Sequence, residues 1–261
     1  MFPYHVWAYL EGGEAPRVAY DRGFLPGRDD MTRFYLTRSV RVELSKYYQN
    51  KRIRYVEKKC AHVANRLVPR ADFEYSDEWE ELAARYFESC GDAAEYRARR
   101  FRETTRSAFF THALEFRHGD RLIGMTPLFV GDGIAHYGIP VYNADYRDVS
   151  IGNHMMAAAL SVTRQMGLDY CYLGSCYTPG DLYKSRFPGM EFYNGFRWSV
   201  DRNELHLLLE KSYTSDSAHL FETNEYISHV GPGDFTDEVL RHRLTVVGEV
   251  SRPVGRAVPG E

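Results

Sequence analysis

The hydrophobic pattern changes period near residue 111, and that change limits the folds open to the chain. Upstream, DEWEELAARYFESC places Trp79, Leu82, Ala83, Tyr86 and Phe87 on one helical face. Ser76 precedes it, Asp77 and Glu78 suit the helix dipole, and Gly91 ends it. EYRARRFRETTRSAFF reads as a second helix. From Thr111 onward THALEF, RLIGMTPLFV and IAHYGIPVY read as consecutive strands, divided by HGD at 118–120 and GDG at 131–133. A helix then runs from about Gly152 to Gly167, with Met155, Ala159, Val162 and Met166 as its apolar stripe, and DYCYLG and FYNGFRWSV read as strands. An antiparallel meander followed by a β-α-β step implies an α/β fold, a mixed sheet wrapped by helices.

The ends of the chain have other textures. Residues 1–68 hold a Gly/Pro-rich turn from Gly23 to Asp30, then FYLTRSVRVEL, where Phe34, Leu36, Val40, Val42 and Leu44 alternate with one interruption. Ser45 is read as the cap of one long basic helix, SKYYQNKRIRYVEKKCAHVANRL, stopped by Pro69. The expected division is a small α+β subdomain over 1–68, a main domain over 69–211 and a partly mobile extension over 212–261. Four cysteines without a CxxC pair suit free thiols in a reducing cytoplasm. No run approaches the ~20 apolar residues of a membrane span, and MFPYHVWAYLEGGEAPR lacks the pattern of a signal peptide. A net charge of −3 argues against a dedicated nucleic-acid binder but leaves room for a local basic face.

NADYRDVSIGN at 143–153 follows the meander, and GLDYCYLGSCYTPGDLYK follows the helix. With DRGFLPG at 21–27 and RVELS at 41–45, these blocks resemble, in order and roughly in spacing, the arginyl- and leucyl-tRNA–protein transferases of the N-end degradation pathway. The matched positions after the helix are Gly167, Leu168, Tyr170, Tyr172, Leu173, Gly174, Tyr183 and Lys184. The resemblance implies a GNAT-like acyltransferase fold with a mostly antiparallel sheet. It further implies transfer of Arg or Leu from charged tRNA to the N-terminal α-amine of an acceptor with an acidic first residue. Two departures stand out. Thr37, Arg38 and Ser39 lie where the family carries a cysteine cluster, and Leu25 replaces the second Arg of its R-G-F-R motif.

The chemistry needs donors for an oxyanion and a site for each substrate. Asp148, Ser150, Gly152 and Asn153 are the catalytic candidates, because a helix N-terminus offers free N–H groups; the same residues also read as helix caps. With one glycine, this turn departs from the glycine-rich pyrophosphate loop of acetyl-CoA enzymes, the rival reading. Substrate-binding candidates are Arg22, Gly23, Phe24, Tyr172, Tyr183, Lys184 and Arg186, with a Lys or Arg pairing the acceptor's acidic side chain, unless the charges are an ordinary solvated loop. Lys51, Arg52 and Arg54, and Arg97, Arg99, Arg100 and Arg102, are candidates for aminoacyl-tRNA, or else wet helix faces. His112, His136 and His154 read as core histidines, so no metal and no cofactor is expected. A cytoplasmic monomer away from membranes is expected, and a non-catalytic relative that binds tRNA or peptide is the third reading.

Overall fold

The computed structural model describes residues 5–27, 30–89, 94–195, 197–211 and 244–249. In chain order the elements are β1 (His5–Leu10), α1 (Arg17–Tyr20), β2 (Phe24–Gly27), β3 (Asp30–Leu36), β4 (Ser39–Glu43), α2 (Lys51–Lys59) and β5 (Ala64–Pro69). Next come α3 (Asp77–Glu88), α4 (Ala94–Arg106), β6 (His112–His118), β7 (Arg121–Gly131), β8 (Ile134–Tyr137) and β9 (Val141–Tyr142). The rest are α5 (Ile151–Gln165), β10 (Tyr170–Ser175), β11 (Met190–Tyr193), β12 (Trp198–Ser199), α6 (Arg202–Lys211) and β13 (Leu244–Glu249).

The meander forms as its turn residues dictate. Gly131 pairs with Ile134, so Asp132 and Gly133 are the two central residues of the β7–β8 hairpin, with φ of 53° and 75°. Two positive φ values match the twist of the flanking strands, and Asp-Gly is a favoured sequence for it. The strands join a nine-stranded sheet in the order β12-β11-β4-β10-β8-β7-β6-β5, with β9 added against β7. Every described pair in it is antiparallel except β8·β10, the step that α5 bridges. Ala113 and Leu114, adjacent in β6, enter different core clusters, so each face of the sheet is covered. Trp79, Leu82, Phe87 and Phe101 of α3 and α4 fill one cluster, while Ile151, Met155 and Ala159 of α5 belong to the other.

Three features depart from the sequence reading. The long basic helix over 45–67 is instead α2 followed by β5. Ser45 donates to Glu43, and the true cap is Asn50, whose side chain accepts from Ile53 N at 3.0 Å. β5 pairs along its length with β6, a non-local partner that overrides the helical pattern, and Pro69 ends this edge strand. The interruption at Thr37 and Arg38 is where the chain leaves one sheet for another. β3 lies in a four-stranded sheet ordered β13-β1-β3-β2, whereas β4 sits inside the large one. β4 and β5 therefore carry the large sheet across the expected boundary at residue 68. FYNGFRWSV forms two short paired strands, β11 and β12. Within the C-terminal extension, Leu244–Glu249 forms β13 on β1, a strand the sequence reading missed. Residues 212–243 and 250–261 lie outside the described residues, and with them the expected mobile tail; Gly91 lies outside them too.

Candidate functional site

Strands β8 and β10 pair in parallel from Ile134–Tyr170 to His136–Tyr172, and then part. β10 continues to Ser175 on its β4 edge, while the chain after β8 bends at Gly138, whose N–H donates to Pro127 O at 2.9 Å. A cleft of about 510 Å³ opens between them. Tyr137–Pro140 form one wall and Leu173–Ser175 the other. Leu25 to Gly27 and Tyr35 close it from the small sheet, and Tyr86, Phe87 and Thr104 from α3 and α4.

Lys184 and His136 line this space. Lys184 lies in the last turn of a 3₁₀ segment, Pro179–Arg186, that opens on a capping box between Thr178 and Asp181. Its ammonium donates to Ser175 O and lies 3.3 Å from Asp181 Oδ1. Burial raises the Asp181 carboxyl, but the Lys184 charge and the N–H groups of Tyr177 and Thr178 more than offset this and hold it below its ordinary value. An ammonium has three donors, so one remains for a ligand. His136 is the last residue of β8 paired with β10, and its Nδ1 lies 2.8 Å from the Tyr20 hydroxyl. The ring stands edge-on to Tyr20 and Phe109, at 5.5 and 4.9 Å between centroids. Burial, helped by the Lys184 charge, pushes the imidazole down to about 3, so it is neutral at physiological pH.

A second polar cluster lies behind Tyr20. Arg41 is buried between the rings of Tyr170 and Trp198, at 3.8 and 3.9 Å. It donates to Glu191 at 2.8 Å, Tyr172 OH at 3.1 Å and Asp21 at 3.3 Å, and Tyr172 OH in turn donates to Asp21 at 3.0 Å. Burial holds the Tyr172 phenol far above its usual range. Tyr172 therefore belongs to this buried network and does not line the cleft, which corrects its expected place on a substrate. The RGF group is likewise structural. Arg22 is tied to Val18 O at 3.0 Å, Phe24 is fully buried, and Gly23 has φ +79° beneath the ring of Tyr193, which a Cβ there would approach to 2.1 Å. Leu25, just after it, does line the cleft, where the family pattern has an arginine.

The remaining candidates fall into two groups. Asn153 of α5, Arg52 of α2, and Tyr183 and Arg186 converge on one narrow crevice, and Tyr183 belongs to both crevice and cleft. Beside it Ser150 opens α5 in the left-handed conformation (φ 62°, ψ 43°), and its side chain makes no cap bond. Its carbonyl accepts from Asn153 N and His154 N, which leaves the Ile151 and Gly152 N–H groups outside the helical ladder. Gly152 faces the Tyr142 ring and Asp148 is exposed; neither lines the cleft. Lys51 is exposed on α2, as is Arg54, which reaches back to Gln49 O at 2.8 Å; Tyr55 stands out on the same helix with Lys59 5.1 Å from its ring. The basic run of α4 is apart from these. Arg99 faces Glu103 and Arg102 faces Glu80, each at 3.8 Å, and the side chains of Arg97 and Arg100 lie outside the described residues. Among the described residues no group of three or more His, Cys, Asp or Glu is placed to hold a metal. His136 is buried and bonded, as a core reading expects, but it also lines the cleft, and its hydroxyl partner lies 116 positions away.

A family model described as an acetyltransferase (GNAT) domain matches residues 48–185. An aspartate/glutamate leucyltransferase of Ruegeria pomeroyi is 31% identical over 176 residues, an alignment that takes in 62% of this chain and 61% of that protein. The chain thus matches about three fifths of the length of this curated relative. Two solved structures show a looser likeness. One is the C-terminal domain of a putative lysylphosphatidylglycerol synthetase from Agrobacterium fabrum, with TM-score 0.43 and 13% identity over 53% of this chain and 46% of that one. The other is L-PGS from Bacillus licheniformis, with TM-score 0.44 and 9% identity over 67% and 64%.

Proposed function

The chain belongs to the acetyltransferase (GNAT) domain family, and from that premise we propose that it is an aminoacyltransferase of the cytoplasm, acting as a monomer. It moves leucine, or arginine in second place, from charged tRNA to the α-amine of a protein or peptide that begins with Asp or Glu. The observation that carries this reading is the cleft where β8 and β10 part, lined by Lys184, whose ammonium makes two hydrogen bonds to protein acceptors. The similarity to a protein named aspartate/glutamate leucyltransferase supports leucine as donor and an acidic acceptor.

Each part has a task. The acceptor's carboxylate meets Lys184, a charge-assisted contact worth about 1.5–3 kcal/mol. The 3′ end of the tRNA lies over the crevice, where Arg52 and Arg186 meet phosphate and the opening of α5 offers the N–H groups of Ile151 and Gly152. Lys51, Arg54 and Tyr55 extend that basic, aromatic face. The ester is already activated, so positioning supplies much of the rate. The amine attacks unprotonated, and the Lys184 cation beside it favours that form.

A panel of charged tRNAs against peptides that differ in their first residue tests the proposal. Leu-tRNA with Asp or Glu peptides is expected to react fastest, and no transfer from any charged tRNA would sink the idea. The family name also admits an acyl-CoA donor. That rival predicts that acetyl-CoA raises the melting temperature; the single glycine of DVSIGN predicts no shift.

A further inference from the structure

We propose that His136 stabilises the oxyanion of this transfer: held by Tyr20 as the neutral Nε2–H tautomer, it donates that proton in a hydrogen bond to the ester carbonyl oxygen as the amine attacks. The inference rests on the transfer proposed above.

The tautomer follows from burial and partners. Tyr20 is fully buried, and the described residues offer its hydroxyl one hydrogen-bond partner, His136 Nδ1. If Nδ1 carried the proton, the Tyr20 O–H would be buried without an acceptor, at a cost of about 1–3 kcal/mol. The hydroxyl therefore donates, Nδ1 accepts, and the proton of the neutral ring sits on Nε2. Tyr20 and Phe109 stand edge-on to the ring and fix its plane. Nδ1 points back to α1, so Nε2 is the nitrogen turned to the cleft that His136 lines. Facing the ring are Phe129 across the hairpin, Tyr172 on β10, and Lys184, the one charged group among them. A ring so hard to protonate is a weak base, but a neutral imidazole is a competent electrophile.

The step balances. The amine nitrogen bonds to the carbonyl carbon, and the C=O pair moves onto oxygen, where Nε2–H meets it. Collapse re-forms C=O and breaks the bond to the ribose oxygen, which gains one proton as the new amide nitrogen loses one. His136 keeps its own proton throughout. It is a catalytic residue in this scheme, and Tyr20 is a positioning residue.

Nitrogen-15 NMR of the imidazoles in the full chain reads the tautomer without any turnover. Nε2 protonated and Nδ1 bare is the expected pattern, and Tyr20→Phe should mix the two forms. A wild-type Nδ1–H pattern overturns the proposal. In the transfer assay, His136→Leu should lower kcat roughly a hundredfold with KM for charged tRNA unchanged, the size of a lost oxyanion donor. His136→Gln keeps an N–H and should stay within about tenfold of wild type, whereas a base role would be lost in both variants. Tyr20→Phe should lower kcat by about tenfold and leave both KM values alone. Equal rates for wild type and a folded His136→Leu, or equal losses in His136→Leu and His136→Gln, overturn the role of His136 while transfer itself stands. Wild-type protein that transfers nothing overturns the function and this role together, whatever the tautomer.

Discussion

Tyr20 and Asp21 are neighbours in sequence but serve two clusters of opposite character. Asp21 joins Arg41, Glu191 and Tyr172, and Arg17 reaches the other oxygen of its carboxylate at 3.3 Å. Arg41 lies between two rings, and its Nε and Nη1 donate to protein acceptors. Tyr20 instead supports His136, in a cleft that the imidazole and Lys184 both line. A closed polar network fixes geometry, and an open one beside it can receive a ligand. The closed cluster should therefore answer to mutation in stability, and the open one in activity.

The largest test of this contrast is Arg41→Met. It strands Glu191 in a largely buried site, while Asp21, a third exposed, keeps Arg17, and should cost about 3 kcal/mol, read as a fall of roughly 10 °C in the thermal midpoint. A midpoint within 2 °C of wild type, taking ~2–4 °C per kcal/mol, would break the distinction. Acid comes next. The folded His136 ring titrates near 3, below its unfolded value of about 6.5, so the unfolded chain takes up the proton first. Its contribution to stability is whole above pH ~6.5 and is lost as pH falls toward about 3, by ~1.4 kcal/mol per unit. Denaturant midpoints measured against pH should fall less steeply in His136→Gln than in wild type, by this slope. In the open cluster, Lys184→Ala should slow transfer to Asp and Glu peptides by roughly ten- to a hundredfold, with tRNA affinity unchanged in a binding titration; equal losses in both would assign Lys184 to tRNA instead. The smallest effects should separate the two basic helices. Lys51→Ala and Arg54→Ala should each lower the salt slope of tRNA binding by about 1, while Arg99→Ala, whose partner is Glu103, should leave it unchanged.

The parts of the fold legible in the sequence were those whose cause is local. Asp132-Gly133 sets its own hairpin, and α3 and α5 show their buried stripes. Residues 64–69 follow a helical pattern but become a strand because β6 pairs with them, and β13 shows itself only against β1. The site divides the same way. Lys184, Tyr183 and Asn153 come from contiguous motifs. The His136–Tyr20 pair leaves no local trace, since a histidine in a four-residue strand reads as core until its hydroxyl partner is placed.

The position of β4 sets the order of assembly. Its neighbours in the large sheet are β10 and β11, encoded more than a hundred residues downstream. During synthesis Ser39–Glu43 leaves the ribosome with both edges unsatisfied and stays so until Tyr170–Tyr193 follows. Such long-range closure slows folding and exposes strand edges to aggregation. The cleft exists only after this closure, because β10 is both its wall and the partner for which β4 waits. Nascent chains cut short before residue 170 therefore have no substrate site to misuse.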